Sequence, residues 1–203
     1  MSSDSPVRGE PRVLLTAAQI DEIVARVAAA MSARYPDGAV LIGVLRGSVP
    51  FLADLVRAMT VPVSVDFMAI TPYTPGSGRV RLLKDLDLDI AGRDAVIVED
   101  IVDTGLSTAF LRSELARRRP RSVAVCTLLD RRVRRVVPVE IDFAGAEVSD
   151  SFVIGFGLDH EGRYRNLRLI AAADIELLTA DPDAYVPVLY GSTDATYPAT
   201  LHR

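Results

Sequence analysis

Val96-Ile97-Val98-Glu99-Asp100-Ile101-Val102-Asp103-Thr104-Gly105-Leu106-Ser107-Thr108 reads as an apolar strand that ends in two adjacent carboxylates. A third carboxylate follows, and then a glycine and hydroxyl turn that opens a helix. A strand running directly into a helix is the repeating unit of an α/β sheet. The turn also offers what a phosphate needs: backbone N–H groups at a helix N-terminus, Gly105 for close approach, and the hydroxyls of Thr104, Ser107 and Thr108. Three carboxylates would repel that phosphate unless they served another part of the same ligand. A ribose diol and a Mg²⁺ ion are the natural candidates, so the stretch points to a sugar phosphate. A P-loop requires Gly-Lys-Ser/Thr after its spaced glycines, whereas Leu106, Ser107 and Thr108 follow Gly105. A dinucleotide fingerprint requires three glycines, and one is present. An ordinary capped strand-to-helix turn has no use for two neighbouring acids at a buried strand end.

The chain on either side repeats the same unit. Thr16 and Gln19 form a capping box, and Ile20, Ile23, Val24, Val27 and Met31 recur at helical spacing, which predicts a helix over Ala17–Arg34. Ala39–Leu45 is an apolar run of strand length that ends at Arg46, Gly47 and Ser48, and a helix follows through Phe51, Leu52, Leu55, Val56 and Met59. A basic residue and a glycine therefore stand where ligands collect in open α/β sheets. Val63–Ile70 and Val80–Leu83 read as strands around a Pro- and Gly-rich loop, Thr71–Gly78, that is a lid candidate. A helix over about Leu106–Arg118, strands over Ser122–Leu129 and Val139–Phe143, and an apolar and glycine stretch over Phe152–Gly157 complete the pattern. The expected fold is a doubly wound, mostly parallel α/β sheet.

At 203 residues and 49% hydrophobic content, the chain suits one substantial domain with a small appendage. A formal charge of −4 argues against a general nucleic-acid binder, although eight arginines lie between Arg117 and Arg135. Helix ends and solvated loops account for that run. The single cysteine, Cys126, excludes an internal disulfide. With no membrane-length apolar run and a polar start over Met1–Glu10, the expected location is the cytoplasm.

The run Glu99–Thr108 resembles the phosphoribosyl pyrophosphate (PRPP) motif of the type I phosphoribosyltransferases, in a wording close to the bacterial hypoxanthine-guanine enzymes. The resemblance covers most of Val13–Asp174. It implies that 13–174 form the domain; residues 1–12, with Pro, Gly, Ser and charge but no periodicity, read as a flexible arm, and 175–203 run past the resemblance as a C-terminal extension. Segments near 12–16 and 143–174 would form a small hood subdomain.

By this resemblance Asp103, Thr104, Gly105, Leu106, Ser107 and Thr108 hold the 5-phosphate, and Glu99 and Asp100 hold the ribose diol and its Mg²⁺. Leu45, Arg46 and Gly47 match the pyrophosphate loop with arginine in place of lysine, and Arg165 matches an arginine that reaches pyrophosphate. Phe152 matches the aromatic that stacks on the base, Val153 the residue whose backbone reads the purine edge, and Asp159 a second Mg²⁺ ligand. Arg131 stands where the family has a lysine that donates to the purine 6-oxo group. Thr71, Pro72 and Tyr73 fall in the lid, with Pro72 where the family has serine. Asp103 is the implied acid/base at purine N7.

The implied reaction transfers ribose 5-phosphate from PRPP to hypoxanthine or guanine in purine salvage, in a homodimer or homotetramer. Two other readings are a transferase for a purine-like heterocycle, suggested by Pro72 and Arg131, and a nucleotide-binding regulator built on the same fold.

Overall fold

The computed structural model describes residues 9–71 and 81–191. In chain order the strands and helices are β1 (Arg12–Leu15), α1 (Ala17–Arg34), β2 (Ala39–Val44), α2 (Val49–Ala58), β3 (Val63–Ile70) and β4 (Leu82–Lys84). Then come β5 (Asp94–Val102), α3 (Leu106–Ala116), β6 (Ser122–Asp130), β7 (Phe143–Glu147), β8 (Phe152–Ile154), β9 (Ile170–Ala173), α4 (Ile175–Ala180) and α5 (Val186–Tyr190). They fall into two units: a large one, Asp21–Asp150, and a small one containing the residues up to Ile20 and from Ser151 onward.

The large unit is a six-stranded sheet in the order β4-β3-β2-β5-β6-β7. All neighbours are parallel except β4, which pairs antiparallel with β3 at one edge. Every residue of β2 is buried, as expected of a parallel strand covered on both faces. On one face Val40, Ile42, Ala95, Ile97 and Val125 pack with Leu111 and Leu115 of α3. On the other, Gly43 lets α2 close in: a Cβ there would stand 2.7 Å from Leu52 Cδ2. Helices on both faces make the sheet doubly wound.

The order places the site. The β2-α2-β3 unit winds toward one edge and the β5-α3-β6 unit toward the other, so β2 and β5 are neighbours whose connections diverge. The crevice beyond the carboxyl ends of such a pair is where open α/β sheets bind ligands.

Two boundaries differ from the sequence reading. The strand expected over Val139–Phe143 instead begins at Phe143, because the Asp142 carboxylate accepts the Val125 N–H at 2.9 Å and takes the preceding ladder position. Val139 and Ile141 pack against the core without joining the sheet. That strand also pairs with β6, so 143–147 belongs to the large sheet and not to the small subdomain expected from residue 143.

The small unit is an antiparallel sheet, β1-β9-β8. Arg12, where the expected arm meets the expected hood segment, starts β1 opposite Ala172. Residues 175–190, expected as an appendage, form α4 and α5, and their Leu178, Tyr185 and Leu189 are core residues beside Ile154, Tyr164 and Leu169.

Asp66 fastens the β4 edge. Its buried carboxylate accepts the N–H groups of Asp87 and Leu88, each at 2.8 Å, with Lys84 Nζ 3.7 Å away. Burial alone would raise its pKa, but the backbone donors of Leu88, Phe67 and Asp87 and the Lys84 charge outweigh it, and the net shift is downward. A depressed carboxylate stabilises the fold above its unfolded pKa, and that contribution is lost as pH falls through the folded value. Asp66→Asn should therefore cost about 1–3 kcal/mol at pH 7. Urea titrations should show the gap from wild type narrowing below about pH 4.

Candidate functional site

A cavity of about 230 Å³ opens at the carboxyl ends of β2 and β5. It is lined by Leu45, Glu99, Asp103, Thr104, Gly105, Ser107 and Thr108, all of them expected site residues, together with Val44, Ile70 and Ile101.

Gly105 is the N-cap of α3 with φ 83°, and no side chain caps the helix. The Ser107 and Thr108 amides of the first turn thus have no capping side chain, and their hydroxyls lie beside them. The Leu106 N–H donates to Thr104 Oγ1 at 3.4 Å. A Cβ at Gly105 would stand 2.6 Å from the Val137 carbonyl oxygen, so both conformation and space demand glycine.

Glu99 and Asp100 point to opposite faces of β5. Glu99 is 6% exposed at the cavity wall. Burial holds its carboxyl well above the usual range, and the adjacent Asp100 charge raises it further. Asp100 accepts the Ile101 N–H at 2.9 Å and faces the β2 loop. There a Cβ on Gly47 would stand 1.6 Å from Asp100 Oδ2, so the loop backbone lies directly against this carboxylate. The Leu45–Arg46 peptide bond is cis, Gly47 is buried and Arg46 is exposed.

Asp103 and Arg131 are brought together. Arg131 Nη1 donates to Asp103 Oδ2 at 3.2 Å, and the arginine is only 5% exposed. Burial lowers the Arg131 pKa, against the raising effect of Asp103. Asp103 Oδ1 is buried without a hydrogen-bond partner among the described residues.

Three residues to which the sequence reading gave no part in the site support this turn. Arg135 donates from Nε to the Asp103 carbonyl at 2.9 Å and from Nη2 to the Val102 carbonyl at 3.3 Å, and it pairs with the buried Asp130. The Val136 and Val137 N–H groups both donate to the Thr104 carbonyl, at 2.9 and 3.0 Å. The segment after β6 is thus a brace under the turn between β5 and α3. Most of the Arg117–Arg135 cluster is similarly occupied: Arg117 pairs with Glu114, Arg118 with Asp85, Arg121 with Asp94, Arg132 with Asp130 and Arg134 with Asp150.

The remaining expected residues lie in the small unit. Phe152 makes an edge contact with His160, ring centroids 5.8 Å apart, and Val153 pairs with Ala172 in the sheet. Arg165 donates to the Gly157 carbonyl at 2.5 Å and pairs with Asp159 at 2.7 Å, and Asp159 also accepts the Gly162 N–H. Thr71 receives the Arg81 N–H on Oγ1 at 3.0 Å, whereas Pro72 and Tyr73 lie outside the described residues. A cage of three or more His, Cys, Asp or Glu for a metal ion does not occur among the described residues. No helix of the described residues is long and apolar enough to cross a membrane.

Comparison with known proteins agrees with this geometry. Residues 16–161 match the family model described as the phosphoribosyl transferase domain. The chain is 45% identical over 172 residues to the hypoxanthine-guanine phosphoribosyltransferase of Mycobacterium avium, covering 80% of this chain and 85% of that one. It is 44% identical over 161 residues to the hypoxanthine phosphoribosyltransferase of Salmonella typhimurium, covering 76% and 90%. Among solved structures it resembles a mutant hypoxanthine phosphoribosyltransferase of Trypanosoma cruzi in a ternary substrates complex. That match has 39% identity and a TM-score of 0.78, over 83% of this chain and 97% of the other.

Proposed function

The chain belongs to the phosphoribosyl transferase family, and from that premise we propose that it transfers the 5-phosphoribosyl group from PRPP to hypoxanthine or guanine. The products are the nucleoside 5′-monophosphate and pyrophosphate, and the role is purine salvage. One observation carries the reading: at a single sheet edge an uncapped, glycine-started helix adjoins the buried Glu99 and its neighbour Asp100. An anion on the helix start, with hydroxyls and a cation at the carboxylates, satisfies both.

The α3 amides and the hydroxyls of Thr104, Ser107 and Thr108 hold the 5-phosphate. Glu99 and Asp100 take the ribose hydroxyls. Leu45, Arg46 and Gly47 present the loop to the pyrophosphate, assisted by Arg165. As the C1′–oxygen bond breaks, the pyrophosphate leaves with the electron pair and a ring nitrogen of the base forms the new bond to C1′. The proton released from purine N7 passes to Asp103. Arg131 donates to the 6-oxo group, while Phe152 stacks on the base and the Val153 backbone reads its edge.

The donor set also fits Mg²⁺. This ion is ordinarily held by one or two carboxylates with substrate phosphates and water, and a cation offsets the cost that burial and the neighbouring Asp100 charge place on an ionised Glu99. When bound it neutralises charge on the departing pyrophosphate. The family resemblance implies Asp159 as a further Mg²⁺ ligand. A cytoplasmic homodimer or homotetramer, supported by the family resemblance, completes the reading, and light scattering measures the assembly.

The test is pyrophosphate release from PRPP with hypoxanthine, guanine, xanthine and adenine. Turnover of hypoxanthine or guanine is expected, abolished by EDTA and restored by Mg²⁺. Adenine should be slower by about 1,000-fold or more, because an amino group at position 6 cannot accept from Arg131. Saturable PRPP binding without turnover of any of the four bases would overturn the proposal.

A further inference from the structure

The turn that carries Asp159 and Arg165 has an uncommon backbone. Phe156, Glu161 and Tyr164 have φ of 44°, 48° and 72°, a region where the Cβ crowds the next carbonyl oxygen. Such residues persist where surrounding contacts hold them. For Tyr164 those contacts come from the C-terminal segment. Its hydroxyl donates to the Pro182 carbonyl at 2.7 Å and accepts the Tyr185 N–H at 3.3 Å. On one side of it, Arg163 pairs with Asp183 at 2.5 Å. On the other, Asn166 Oδ1 accepts from the Tyr190 hydroxyl at 2.7 Å.

Residues 163, 164 and 166 are therefore all tied to the chain beyond Asp181, while the residue among them, Arg165, reaches away to Asp159 and the Gly157 carbonyl. Beneath these bonds Leu178, Tyr185 and Leu189 pack with Tyr164, Leu167 and Leu169. The match to the family model ends at residue 161, so it covers neither Arg165 nor the segment that grips its neighbours.

We propose that residues 175–190 are a positioning segment for Arg165. They fix Tyr164 in its left-handed conformation and so set the direction in which the next side chain leaves the backbone. This rests on the assignment of Arg165 to pyrophosphate made above, and Tyr164, Arg163 and Asp183 act only through Arg165.

The experiment is steady-state kinetics of the full chain with Tyr164→Phe, Asp183→Asn, Arg165→Gln and the double variant Tyr164→Phe/Arg165→Gln. Arg165→Gln is expected to raise KM for PRPP about tenfold. Tyr164→Phe and Asp183→Asn should each raise it about three- to fivefold, with kcat and KM for the base within about twofold of wild type. The double variant should match Arg165→Gln alone, since an effect exerted through one side chain vanishes with it.

Additive losses in the double variant, an equal rise in KM for the base, or unchanged KM for PRPP in both Tyr164→Phe and Asp183→Asn would overturn the proposal. Asp183 is 59% exposed, so Asp183→Asn keeps the test alive if Tyr164→Phe does not fold. An unchanged KM for PRPP in Arg165→Gln would instead overturn the pyrophosphate assignment, and the positioning role with it.

Discussion

Gly47→Ala is expected to fold like the wild type and to lose about 100-fold or more in kcat/KM. The added methyl would lie 1.6 Å from Asp100 Oδ2 and 2.6 Å from its Cγ, well inside contact distance. Its nearest neighbours belong to the end of a side chain, not to backbone, so the sheet can survive by turning that carboxylate aside or lifting the loop. Either escape moves a part of the site. Turning Asp100 withdraws an oxygen from the ribose and cation, and lifting the loop displaces the backbone at Arg46. A shift of about 1 Å in a reacting arrangement commonly costs about 100-fold in rate, whereas turning the end of one side chain leaves the packed sheet in place. The check pairs a thermal melt with the pyrophosphate-release assay. A variant that melts with the wild type and keeps its kcat/KM would show that the close contact has no part in catalysis.

That contact also marks the limit of what the sequence discloses. Glu99, Asp100 and the run from Asp103 to Thr108 were legible because neighbouring residues carry the whole signal: strand, acids, turn, helix start. Strand direction and the doubly wound pattern were legible for a similar reason, since fully apolar runs such as Ala39–Val44 alternate with amphipathic helices. The meeting of Gly47 with Asp100 depends on β2 and β5 being adjacent in the sheet, and nothing local encodes that adjacency.

Arg135 was hidden differently. In sequence it is the last of a row of arginines that resembles a solvated loop, and only the fold buries it against Asp130 and the Val102 and Asp103 carbonyls. The boundary of β7 turned on one side chain, Asp142, imitating a ladder partner. Residues 175–190 have the prolines and acids of a tail, yet Tyr185 and Leu189 complete a core whose other half lies earlier in the chain.

Asp103→Asn is expected to lower kcat by about 100- to 10,000-fold while changing KM for PRPP by no more than about threefold. The amide nearly preserves shape and can still accept from Arg131 Nη1, which bonds Asp103 Oδ2 at 3.2 Å in the wild type. What it lacks is the capacity to take a proton from the base. In the structure Oδ2 is bonded by Arg131, while Oδ1 is buried with no partner among the described residues, which leaves its lone pairs uncommitted. Removing the charge also leaves the 5%-exposed Arg131 with a weaker counterion, so a lower melting temperature should accompany the loss. The two effects separate in the kinetics. A purely structural fault would disturb PRPP binding, because the Asp103 carbonyl is part of the braced turn to which the proposal assigns the 5-phosphate. A lost proton acceptor leaves binding in place and slows the chemical step, so single-turnover measurements at saturating PRPP should show the full deficit. A kcat within about threefold of wild type would remove Asp103 from the proton path and leave its carboxylate as the counterion of Arg131.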